Sequence, residues 1–157
     1  MRRLDRAVID RNEMLKVMDE CICARVGFYD DGEVYIVPLN FGYVATEETV
    51  TLYFHSAKRG RKIALIKKCD TVGFEMDTGY SLAQNDIACK FSNTFKSIIG
   101  TGVISFVTDA DEKRFALRRI MKHVTNKDEW QFNDKAVELV RVFKIEVTKM
   151  TCKAKQN

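Results

Sequence analysis

The sequence predicts a mainly β chain of the α+β kind, in which a small antiparallel barrel carries helices on its outside. Three observations predict it: apolar and polar residues alternate with period two in several segments, most of these segments are joined by short polar turns, and only three stretches switch to helical spacing. At 157 residues, 46% of them apolar and 31% charged, the chain suits one core and one domain spanning 1–157.

The first helical stretch follows Asp10 and Glu13, an acidic version of a capping pair, and Met14, Leu15, Val17 and Met18 then give a helix over 11–19 an apolar face. From Cys21 to Phe28 the period becomes two, with Ile22, Ala24, Val26 and Phe28 on one face, and Asp30-Asp31-Gly32 supplies hairpin chemistry. A second strand over 34–44 is interrupted near Pro38. Thr46-Glu47-Glu48 then reverses the chain into a third strand over 50–55, which makes a meander of three strands. After Gly60, Ile63 and Ile66 sit at helical spacing ahead of Lys67 and Lys68. Residues 71–76 read as a strand, 77–90 as a polar surface excursion, and 91–107 as a long strand that Gly100 and Gly102 bend by a bulge or a close backbone approach. Asp109 and Glu112 start a helix over 110–123, a connector over 125–134 carries Trp130, and alternation over 137–147 closes the chain with a strand. The total is about six strands and three helices.

The stretch from Tyr35 to Lys62 reads as a ligand cradle. Pro38 removes a ladder N–H and Gly42 removes a side chain, which leaves backbone groups free for a ligand. His55, Ser56, Lys58, Arg59, Arg61 and Lys62 gather hydroxyl and cationic donors where a strand gives way to a helix, a composition suited to phosphate.

The net charge of +4 is spread along the chain and no helix has a basic recognition face, so nucleic acid is not the expected partner. No apolar run approaches a membrane span or a signal-peptide core, and a soluble cytoplasmic protein is expected. Five cysteines without CxxC or zinc spacing read as free thiols, and no metal site is expected.

At YIVPLNFGY, LYFHSAKRGRK and SIIGTG the chain resembles the flavin-binding split-barrel superfamily that includes pyridoxamine 5′-phosphate oxidases, and within it the Nim family of nitroimidazole-resistance proteins. The opening Met1-Arg2-Arg3 with Asp5-Arg6 is also similar to that family's start. The resemblance implies a six-stranded antiparallel split β-barrel that binds FMN as a homodimer, with the flavin in a groove between subunits. It implies that Val37, Pro38, Leu39, Asn40 and Phe41 line the isoalloxazine and that His55 and Ser56 end the next strand of the site. Arg61 and Lys62 would then meet the FMN phosphate, with Ser97 and Gly100 near the cofactor or the dimer seam. Thr151-Cys152-Lys153 departs from the family's Thr-Gly-Lys turn, and 78–95 match it loosely.

Several roles have two readings. Ser56 can cap the following helix or touch phosphate. His55 can deliver protons or serve as a structural hydrogen-bonder. Phe41 can pack on the flavin or in the core, and Trp130 can cover the partner's flavin or pin its own loop. His123, at a basic helix end, reads as a surface residue.

The function implied is that of an FMN-dependent oxidoreductase reducing nitroimidazoles or related nitroaromatic acceptors. With no GxGxxG fingerprint in the chain, NAD(P)H would visit only transiently. The alternatives are a pyridoxamine 5′-phosphate oxidase relative that uses Arg118, Arg119 and Lys122 for a substrate phosphate, and a flavin-binding or redox-sensing module without dedicated turnover.

Overall fold

A computed structural model describes residues 3–155, so the family-like start lies partly outside the described residues, at Met1 and Arg2. After a 3-10 turn at Leu4–Arg6 come β1 (Ala7–Val8), α1 (Arg11–Glu20), β2 (Ala24–Asp30), β3 (Glu33–Leu39), β4 (Gly42–Ala45), β5 (Val50–Ala57) and α2 (Arg61–Ile66). β6 (Thr71–Ala83), a 3-10 turn at Ala88–Lys90, β7 (Ser92–Val107), α3 (Ala110–Thr125), α4 (Asp134–Leu139) and β8 (Val140–Lys155) complete it.

Local chemistry sets the clearest boundaries. Asp10 accepts a hydrogen bond from the Glu13 N–H at 2.9 Å and Asp109 from the Glu112 N–H at 2.8 Å, so both predicted caps form. Asp31 and Gly32, at φ 49° and 97°, make the tight β2–β3 turn, a left-handed pair whose twist matches the flanking strands. The irregularity predicted at Gly100 and Gly102 is a bulge on the neighbouring strand: Thr101 faces Lys149 while Gly102 faces Val147, which leaves Thr148 of β8 as the extra residue. A β-carbon on Gly100 would lie 2.3 Å from the Phe74 ring, and one on Gly102 would lie 2.5 Å from the Glu146 carbonyl oxygen. Both glycines therefore allow the close approach that the sequence suggested.

The sheet is larger than the six strands expected. Eight strands pair antiparallel, seven of them in the order β3-β2-β6-β7-β8-β5-β4, with β1 added to β8. The expected meander is absent, because β3 pairs with β2 while β4 pairs with β5 at the other end of the order. The chain crosses from one edge to the other through Asn40 and Phe41 alone. Three Cα steps cover at most about 11 Å, so the sheet must curl until its two edges approach. They do not pair, and the result is a barrel left open along β3, consistent with the split-barrel fold.

Other boundaries also differ. The break in the second predicted strand falls after Leu39, since Pro38 still stands opposite Arg25 in the ladder register. Strand β2 starts at Ala24, so Ile22 precedes it and is 69% exposed. The polar excursion after Met76 is largely strand, because β6 runs on to Ala83 past a bulge between Thr78 and Ser81. Residues 134–139 form α4, capped by the Asn133 side chain, and the closing strand begins at Val140 and extends to Lys155.

The main core fills the barrel with Phe28, Phe41, Phe54, Phe74, Met76, Ile98, Phe143 and Ile145, closed at its ends by Val17 and Met18 of α1 and Ile63, Leu65 and Ile66 of α2. A second cluster, with Tyr53, Ala116, Leu117, Ile120, Val137 and Val142, holds α3 and α4 on the outer face of β5 and β8.

Candidate functional site

The cradle residues lie on β3, at the end of β5 and on α2, which Arg61 ties to the β2–β3 hairpin. β3 is an edge strand, so its outer backbone groups have no ladder partner among the described residues, and Pro38 is tolerated there. Along it Tyr35, Val37 and Leu39 lean inward on the core, while Ile36 and Pro38 point out. Asn40 is exposed at the turn that follows. Phe41 is fully buried. Its ring packs against Phe54 at 6.4 Å and against the His123 imidazole at 4.3 Å between centroids, so of its two readings the core one describes its place in this chain.

Gly42 meets a helix, not open space: a β-carbon there would lie 2.3–2.5 Å from the Arg119 and Ile120 backbone. The missing side chain lets α3 settle directly on β4. Nor is His123 a surface group. Its Nε2 donates to the Cys21 carbonyl oxygen at 2.6 Å and its ring packs on Phe41 and Tyr43, tying α3 to the end of α1. A carbonyl only accepts, which places a proton on Nε2.

His55 and Ser56 are neighbours on β5 but face opposite ways. Ser56 lies on the buried core side with Leu52 and Phe54, while His55 lies on the side of Tyr53 and reaches the surface. The Ser56 hydroxyl donates to the Ala57 carbonyl at 2.8 Å, so it does not cap α2, whose N-cap is Gly60 at φ 136° with no side-chain hydrogen bond. His55 makes no hydrogen bond among the described residues. Partial desolvation, and to a lesser degree the Lys62 ammonium, hold its pKa below the ordinary histidine value. Near neutrality it is therefore an uncharged imidazole, able to accept a proton but not a standing proton reservoir.

Arg61 is already engaged. Its Nε and Nη2 donate to Asp30 Oδ2 at 3.1 and 3.0 Å, Nη2 donates to Glu33 at 3.0 Å, and the guanidinium lies 4.8 Å from the Tyr35 ring centroid. It thus straps the β2–β3 hairpin to α2, a contact the sequence reading missed although Asp30 had been recognised as a turn residue. Lys58, Arg59 and Lys62 have no acidic partner among the described residues, and nothing stands within 4 Å of a β-carbon at Gly60. With α2 only six residues long its dipole adds little. The affinity of this corner for anions rests on the cations.

Ser97 is not brought to this corner. It lies on the outward face of β7, in a shallow groove of about 370 Å³ with Ile99, Thr101, Lys149, Thr151 and Lys153, and Gly100 borders the groove from the strand itself. Trp130 sits in the α3–α4 connector, where its indole N–H donates to the Lys127 carbonyl at 3.1 Å and pins its own loop. A larger hollow of about 650 Å³ opens between α1, β4 and α3. Asp19, Tyr43, Arg119, Lys122 and His123 contribute to its wall, and none of the residues expected to contact the flavin does. Among the described residues no group of three or more histidine, cysteine, aspartate or glutamate side chains could hold a metal ion, and no helix is long and apolar enough to cross a membrane.

Comparison with known proteins agrees with this architecture. A candidate 5-nitroimidazole antibiotic resistance protein from Bacteroides thetaiotaomicron is similar in structure at a TM-score of 0.81, with 33% identity over 96% of this chain and 90% of that one. The flavocytochrome Anf3 from Azotobacter vinelandii (TM-score 0.80, 19% identity, 100% of this chain and 72% of that one) shares the fold. So does an FAD and heme binding protein from Mycobacterium smegmatis (TM-score 0.79, 13% identity, 97% and 74%). No curated protein matches the sequence. The pyridoxamine 5′-phosphate oxidase family profile matches residues 10–154, nearly the whole chain, and the protein belongs to that family.

Proposed function

We propose that this protein is an FMN-dependent oxidoreductase, working as a homodimer, that reduces nitroimidazoles or related nitroaromatic compounds. The observation that carries the proposal is the cradle: a β3 edge unpaired among the described residues, with a corner where Lys58, Arg59 and Lys62 lack acidic partners among them. These residues fit a flavin mononucleotide. Lys62 and its neighbouring cations would hold the phosphate, and the backbone of Val37, Pro38, Leu39 and Asn40 would line the ring system. The similarity to the Bacteroides protein favours a nitroimidazole as acceptor.

The bound flavin would supply the electron transfer. The chain's own part is to orient and to exclude water. Tyr35, Val37 and Leu39 give the cradle an apolar floor, Arg61 fixes the hairpin that bears them, and neutral His55 can exchange a proton at its free ring nitrogens. A second copy would add the missing wall. The outward face of β2, β3, β6 and β7 exposes Tyr29, Val34, Ile36, Ile99 and Val103 around Gly27 and Gly73, beside the ion-paired Arg25, Glu75 and Asp77, a mixed surface suited to a partner. On this reading Ser97, Gly100 and Trp130 serve the partner's cofactor, not that of their own chain. NAD(P)H is the proposed electron donor and visits transiently.

The test is a flavin-fluorescence titration of the protein and of Lys62→Ala with FMN and with riboflavin, followed by anaerobic turnover with NAD(P)H and a nitroimidazole. The proposal expects tight FMN binding, weaker riboflavin binding and acceptor reduction. Equal affinities for the two flavins would remove the phosphate assignment. A second reading, a pyridoxamine 5′-phosphate oxidase-like enzyme, draws on the 650 Å³ hollow, where Arg119 and Lys122 but not Arg118 reach the wall. Oxidation of pyridoxamine 5′-phosphate without nitroimidazole reduction would favour it.

A further inference from the structure

Arg141 is a cation without a hydrogen-bond acceptor among the described residues. It stands near the start of β8 directly opposite Ser56, and directly opposed residues of an antiparallel pair project from the same face. That face is the barrel interior, where Phe54 and Phe143 stack at 5.3 Å one step further along the same two strands. The guanidinium carbon lies over the Phe106 ring at 5.3 Å from its centroid, a contact that gives none of its five N–H donors an acceptor oxygen. Among the described residues no carboxylate, carbonyl or hydroxyl accepts from it, and its Nε is buried without a partner. Arg25, Arg61, Arg114 and Lys144 all meet carboxylates. A buried N–H of a charged group without an acceptor is costly, and a ligand oxygen is one of the few things that can complete it.

We propose that Arg141 is an anion-binding residue at the inner wall of the cradle, receiving a phosphate or carboxylate oxygen through Nε and a terminal nitrogen. Its position supports this. Ser56, opposite it, is the second-last residue of β5, and the chain runs from there through Lys58 and Arg59 into α2, so Arg141 projects inward at the strand end that leads to the unpaired cations. The Ser56 hydroxyl is turned to the Ala57 carbonyl and leaves Arg141 as the donor on this pair. Arginine suits the role because its planar fork can meet two oxygens of one anion. The inference rests on the cradle reading only for where the anion comes from: the phosphate of a flavin nucleotide, or a small free anion.

The test is NMR of the arginine Nε–H groups in the ¹⁵N-labelled full chain, with the Arg141 signal identified by its loss in Arg141→Gln. Inorganic phosphate, riboflavin and FMN are titrated in turn. The inference expects a saturable shift of the Arg141 signal with phosphate. If FMN shifts it as well and riboflavin does not, the anion is the nucleotide's own. A response to phosphate in a protein that fails to retain FMN would keep the inference while removing the flavin reading. Arg141→Gln should weaken the responding anion roughly tenfold or more, with Arg141→Lys recovering part of the loss and backbone spectra showing both variants folded. A signal that ignores phosphate and FMN alike overturns the inference, as does unchanged anion affinity in folded Arg141→Gln.

Discussion

Replacing Gly42 by alanine should destabilise the protein for a purely steric reason. The added carbon would sit 2.3 Å from the Arg119 carbonyl carbon, 2.4 Å from the Ile120 nitrogen and 2.5 Å from the Arg119 carbonyl oxygen. Ordinary carbon contacts begin near 3.5 Å, so α3 must move by about 1 Å or β4 must yield. Backbone cannot swing aside as a long side chain would, and overpacking of this kind costs about 1–3 kcal/mol. For a domain of this size each kcal/mol lowers Tm by roughly 2–4 °C, so the expected loss is of the order of 2–12 °C. Gly27 supplies the control, because a β-carbon there would meet its nearest atoms only at 3.8 and 4.0 Å. Thermal unfolding followed by circular dichroism compares the two variants. A Gly42→Ala protein as stable as Gly27→Ala would refute the claim that this glycine exists for helix contact.

Phe41→Ala should cost about 3–5 kcal/mol in chemical denaturation, the range for truncating a fully buried aromatic, and should lower His123 order by removing the ring it packs against. Asp109→Ala removes the α3 cap and should cost about 1 kcal/mol by the same assay. His55 has a folded pKa below its unfolded value of about 6.5. Its contribution to stability is therefore present above that pH and lost as the pH falls through the folded value, and Lys62→Gln should raise the folded pKa in an NMR titration. Burial pushes the Cys21 thiol up to about 12, whereas Cys89 is exposed. A thiol reagent at pH 8 should label Cys89 in the folded protein and leave Cys21 untouched until unfolding.

What could be read from the sequence was what short-range chemistry decides. Asp10 and Asp109 start their helices through bonds to residues three positions on, the Asp31-Gly32 turn needs positive φ locally, and the β7 glycines mark the bulge they permit. The destination of β4 could not be read, because nothing between Leu39 and Gly42 records that the chain leaves one sheet edge for the other. The run from Thr148 to Lys155 is too polar to announce a strand, yet its backbone pairs with β7 as far as Phe95. Within the site, residue types were legible and their partners were not. Arg61 was recognised as a cation near a strand end, but its bonds to Asp30 and Glu33 cross about thirty positions of sequence, and only the curled sheet joins them. Phe41 had a core reading beside its flavin one and Gly42 was read as a gap in a strand, but neither pattern disclosed that both meet α3.

The most direct test of the flavin cradle is the visible absorbance of purified protein mixed with FMN and passed through gel filtration, with light scattering on the eluted peak. The account predicts a retained, perturbed flavin band at about one FMN per chain, eluting with a dimer. A folded protein that emerges free of flavin, or a monomer that holds it as tightly, would contradict it.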